Sequence, residues 1–141
     1  MTRHLLILAA LAGLTVLVGR SAFADKEKKV STRVFELRIY HAAPGKMKAL
    51  HERFRNHTCK LFKKHGMELI AFWSPQDPKD AEQRLIYVLA YPSKEAAEAS
   101  WKAFRSDPEW LKVRDESEKD GKLVAKIESV YMDPTDYSAM K

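Results

Sequence analysis

A single cysteine, Cys59, stands in the 141-residue chain. A lone thiol closes no intrachain disulfide, so stability must come from the core or from a partner subunit. Helical spacing is expected to put Cys59 on the side away from Phe54 and Leu61, as a surface or subunit-contact thiol rather than a nucleophile. The five glycines form no phosphate-cradling loop, and the chain holds neither a nucleophile elbow nor a Cys/His pair at zinc spacing. His51 and His57 point to different sides of a helix, so no metal site is expected. Blocks of one charge are also missing. The formal net charge is +6, or +4 without Arg3 and Arg20, and basic and acidic residues interleave along helices. Nucleic-acid binding is therefore not expected.

Only one long apolar run is present, Leu5–Val18. It follows Arg3 and His4, is too short for a bilayer span, and precedes the small-x-small triplet Ala22-Phe23-Ala24. Residues 1–24 are read as a secretory signal peptide, with cleavage after Ala24. The protein is expected to be secreted or periplasmic, with no stable membrane span after cleavage. Residues 25–32 read as a charged linker, and residues 33–137 as one domain with one core.

Within that domain, Phe35, Leu37 and Ile39 alternate with Glu36, Arg38 and Tyr40, the period of a strand with one apolar and one polar face. Met47, Leu50, Phe54 and Leu61 recur at helical steps over Lys46–His65, and Gly66 follows as a C-cap. Met67–Ser74 and Arg84–Tyr91 read as strands, the second apolar on both faces. Ser93 caps a helix to Arg105. Asp107-Pro108 starts another over Pro108–Glu118, because proline suits a first turn and aspartate caps it. Leu123–Met132 is the last strand. The order β-α-β-β-α-α-β is the split βαβ arrangement: an α+β, ferredoxin-like domain with a four-stranded antiparallel sheet and helices on one face. The other face is expected to carry Tyr40, Phe72 and neighbouring aromatics, too apolar for water, so a second subunit should cover it in a homodimer.

The segments VFELRIY (34–40), FRNHTCKLFKKHG (54–66), FW (72–73) and WKAFRSDPEWLKVRDES (101–117) resemble the NIPSNAP family over residues 34 to about 137. That resemblance implies a dimeric α/β-barrel, two sheets facing each other, with a cavity between the sheet and the helical segment. It supplies no reaction. Superfamily members include cofactor-poor monooxygenases and haem-using proteins, so enzymatic activity or a haem cofactor would rest on fold analogy alone. The other classes are a small-ligand-binding protein and a protein-interaction module.

Six residues are the ligand-binding candidates: Arg38, Tyr40, His57, Trp73, Tyr87 and Trp110. Arg38 can fork two bonds to a carboxylate beside the Tyr40 ring, unless Glu36 takes it as an ion-pair partner. His57, in a His57-Thr58 dyad matching the family motif, sits at the border of the apolar stripe. That position suits either a general base or haem ligand, or a half-buried structural imidazole. Trp73, Trp101 and Trp110 read first as core residues; with Tyr87 and Phe72, the three indoles can instead wall a pocket between the sheet and the broken helix for a small planar or anionic ligand.

Overall fold

Alternating side chains make β1 (Val34–Ala42) a strand, and Pro44-Gly45 ends it before a helix begins. The computed structural model describes residues 33–141, so the expected leader (1–24) and linker (25–32) lie outside the described residues. The helix is one continuous rod in three parts: α1 (Met47–Arg53), a π-helical turn (Phe54–Thr58) and α2 (Cys59–Lys64). Gly66 follows with φ +77°, a conformation that a side chain would strain. After β2 (Glu68–Trp73), the expected loop contains a short helix, α3 (Pro78–Ala81). Asp77 caps it by accepting from the Asp80 N–H at 3.0 Å. Then come β3 (Arg84–Tyr91), α4 (Lys94–Ser106), α5 (Pro108–Ser117) and β4 (Val124–Met132).

Ser93 Oγ accepts from the Ala96 N–H at 3.1 Å and Asp107 Oδ1 from the Glu109 N–H at 2.8 Å. These bonds satisfy amides that a helix start leaves unpaired. Asp107 is therefore both the stop of α4 and the start of α5, as its place before Pro108 predicts.

The sheet order is β2-β3-β1-β4, with every pairing antiparallel. Register decides the faces. Glu36, Arg38 and Tyr40 lie opposite Leu89, Tyr87 and Leu85 on β3, and opposite Tyr131, Ser129 and Ile127 on β4. The helices pack on this side: Phe54 meets Tyr40, Phe72 and Tyr87 edge-on at 5.4–6.0 Å, and Phe62 packs on Tyr87 and Trp101. The core runs from Met47, Leu50, Phe54, Leu61 and Phe62 to Leu85, Tyr87, Leu89, Trp101 and Phe104.

This arrangement corrects three expectations. Tyr40 and Phe72 belong to the helix-covered face, not the open one, because their registry partners Leu85 and Tyr87 are core residues. Trp73 is not core: it lies opposite Ile86 on the far face at the end of an edge strand, 51% exposed. Cys59 is half-buried and packs against the core rather than away from it, since it follows directly on the π turn. Among the described residues, no helix is long and apolar enough to cross a membrane.

Candidate functional site

The most elaborate polar geometry lies under α4, around Glu36, whose side chain is 1% exposed. Its Oε1 accepts from Arg38 Nη1 at 2.5 Å and Ser129 Oγ at 2.6 Å. Its Oε2 accepts from Tyr91 Oη and the Trp101 indole N–H, each at 2.7 Å. A carboxylate offers about four lone-pair sites, and four donors fill them. Burial pushes the Glu36 pKa up, but bonds from Ser129 and Tyr91, the Arg38 charge and the Trp101 bond outweigh it, so the net shift is downward. Arg38 also donates from Nε to Tyr87 Oη at 3.0 Å and lies 4.1 Å from the Trp101 ring centroid. Burial opposes its charge, yet Tyr87, Tyr40 and Glu36 raise its pKa above the ordinary guanidinium value. Burial, then Glu36, raises the Tyr91 pKa; burial, then Tyr40, raises that of Tyr87. Both phenols therefore stay protonated at neutral pH. Arg38 thus takes the ion-pair alternative.

Three of the six sequence candidates meet here: Arg38, Tyr40 and Tyr87, with the two tyrosine rings 5.3 Å apart. The other three lie elsewhere. Trp110 packs on Phe104 at 4.5 Å and receives the Arg53 guanidinium at 5.2 Å. Trp73 is on the far face of β2. His57 is exposed and borders a surface groove of about 310 Å³ between the π turn and α5, beside Glu52, Asn56 and Glu116. The six do not share one cavity, because neighbouring strand residues face opposite sides and the helix border at His57 turns outward. His57 stands among polar side chains rather than over an apolar slot, so its surroundings do not fit haem.

A second groove, about 330 Å³, opens where the π turn passes the β2 edge. Phe54, Phe72 and Leu85 line it with His51, Arg55 and Trp73. Cys59 also borders it; burial raises the thiol's pKa more than nearby Lys63 lowers it, which disfavours the thiolate.

Against known proteins, the NIPSNAP family model matches residues 35–139, well over half of the chain. The chain belongs to the NIPSNAP family. Among solved structures it is similar to a NIPSNAP family protein of unknown function from Agrobacterium tumefaciens. The identity is 19% and the TM-score 0.67, covering 79% of this chain and 96% of that one. A second A. tumefaciens family member is 22% identical (TM-score 0.65, covering 77% and 99%), and a Burkholderia xenovorans NIPSNAP-like protein 15% identical (0.65, 77% and 90%). These likenesses establish the fold. Among curated proteins, no significant match was found.

In this NIPSNAP domain the Arg38–Glu36 pair is one of two alternatives legible in β1, whereas the other donors on Glu36 are not legible. Tyr91, Trp101 and Ser129 come from three separate elements, and no spacing links them. The helix junction at Asp107 is legible from Pro108, but its partners are not: Asp107 accepts from His65 Nε2 at 2.6 Å and pairs with Lys64 Nζ at 2.7 Å. Asp107 is little exposed, yet half-exposed Lys64 reaches it from solvent. Lys64, then His65, holds its pKa well below the usual carboxylate range. The run Lys63-Lys64-His65 before Gly66 places favourable charge at a helix end, but no spacing links it to Asp107 across the fold.

Proposed function

We propose that this NIPSNAP domain is an exported homodimer that binds a small planar or anionic molecule. The observation that carries it is the uncovered side of the sheet. Leu37, Ile39, Ile86, Val88 and Val130 share the face away from the helices, with Val130 53% exposed and the others half-buried. The segment after β4 borders only one end of this face, over Phe35, Val88 and Met132, where it lines a groove of about 330 Å³. Arg33 Nε donates to the Lys141 carbonyl at 2.9 Å there. The rim charges are already paired: His41 and Lys126 meet Glu128, and Arg33 meets Glu68. An apolar centre inside a neutralised rim suits a self-complementary, two-fold packing of sheet on sheet.

Export rests on the Leu5–Val18 run and the Ala22-Phe23-Ala24 site. Nothing in the geometry selects the enzymatic alternative, because Glu36 already has donors on every available site.

Three measurements test the reading. Intact mass of the protein from an extracytoplasmic fraction should correspond to a chain starting at Asp25; a start at Met1 defeats export. Sedimentation should give twice the mature mass; a monomer at high concentration defeats the dimer. Mass spectrometry of denatured, natively purified protein should release a stoichiometric small molecule.

A further inference from the structure

We propose that the groove beside the π-helical turn is the ligand site, and that it takes a planar aromatic carboxylate. This rests on the small-ligand reading above and gives it a place and a chemistry. The groove's volume, about 330 Å³, falls within the roughly 300–1,000 Å³ of small-molecule sites. Its floor is aromatic and preset. Phe72 lies parallel to Tyr87, with centroids 5.1 Å and planes 11° apart, and Phe54 meets Phe72 edge-on at 6.0 Å. A flat ring entering the groove meets Phe54 and Phe72 without either having to reorient, while Trp73, at the end of the edge strand, borders only the rim.

Charge selects the other end of the ligand. Arg33, Arg38, Arg53, Arg84 and Arg114 each hold a carboxylate. Among the described residues, Arg55 at this groove has no such partner, and no Asp or Glu lines it. His51, one helical turn before Arg55, adds a second potential donor. The His57 groove differs in this respect, since Glu52 and Glu116 line it and its one arginine, Arg53, already holds Glu118. The helix beside the ligand also departs from α geometry over Phe54–Thr58, and such single π turns recur at functional sites. No covalent step is involved: Cys59 borders the groove as a neutral thiol.

The test titrates the isotope-labelled mature protein with 2-naphthoate and with 2-naphthol, which keeps the rings and removes the carboxylate, and follows backbone amide shifts by NMR. Saturable shifts at His51, Arg55, Phe72 and Trp73 are expected with naphthoate. Arg55→Gln should weaken naphthoate about ten-fold or more, as for a lost charge-assisted bond, and change naphthol binding little. Phe72→Leu, on the groove floor, should weaken both probes, while Arg105→Gln, on the exposed side of α4, should weaken neither. Saturable shifts elsewhere would overturn the site and leave the small-ligand reading standing. An equal loss of both probes in Arg55→Gln would overturn the carboxylate assignment. Absence of saturable binding by either probe would overturn the proposed site and class, whereas the small-ligand reading itself stands or falls on the molecule released from natively purified protein.

Discussion

The two sides of one sheet solve opposite problems. On the helix side, β1 carries Glu36, Arg38 and Tyr40, and the carboxylate is nearly inaccessible, with a donor for each lone pair. On the other side, the same strand carries Leu37 and Ile39, which remain partly open to water beside exposed Val130. The polar face of the strand is thus the buried one and the apolar face the open one. Residue polarity alone therefore does not tell which face a helix will cover. A buried charge is tolerated where its partners come with it, and an apolar surface can wait for a second molecule.

The largest expected break of this contrast is Glu36→Ala. It leaves Arg38 buried without its carboxylate, a loss of about 3–5 kcal/mol for a broken buried pair, read from urea unfolding. A loss under about 1 kcal/mol would mean that packing, not the polar cluster, holds the helix side. On the open side, Val88→Glu should act on association instead. A charge placed in the proposed sheet-to-sheet contact should weaken dimerisation by about 3 kcal/mol or more, over a hundred-fold in Kd. Sedimentation should then show a folded monomer, while an unchanged dimer would place the contact elsewhere.

Acid separates the two sides more finely. The folded Glu36 pKa lies below its ordinary 4.5, so the unfolded chain binds the proton more readily. Its contribution is full above about pH 4.5 and is lost as pH falls through the lowered folded value. Glu36→Gln should flatten the stability profile in that acid window without abolishing it, since Asp107 and Glu128 are also held low. An unchanged slope would mean that Glu36 does not carry the acid response. The smallest effect is expected from His57→Ala. The imidazole is exposed, so unfolding free energy should change by no more than about 0.5 kcal/mol. A loss of about 1–3 kcal/mol, the scale of a missing buried hydrogen bond, would restore the half-buried structural role.

Much of the fold was legible because its signals are local. Alternation gave β1, Ser93 and Asp107-Pro108 marked helix starts, Gly66 marked an end, and the element order gave the split βαβ topology. The site was less legible because its relations are not local. Arg38, Tyr40 and Tyr87 do meet, but Trp73 faces away since strand neighbours alternate, and Trp110 packs instead on Phe104 beside the Arg53 guanidinium. The π turn left no sequence mark, and with it went Cys59, His51 and Arg55 as groove-lining residues.

By itself, the sequence determined the strands, the helices, their order and which residues of β1 share a face, because steric preference, capping chemistry and side-chain period act within a few residues. Only the tertiary structure decided which face of β1 the helices cover, who completes the shell of Glu36, and where an unpaired arginine meets an aromatic floor. Those outcomes depend on free energies shared among Glu36, Tyr91, Trp101 and Ser129, or between Arg55 and Phe72, residues that approach one another only after the chain has packed.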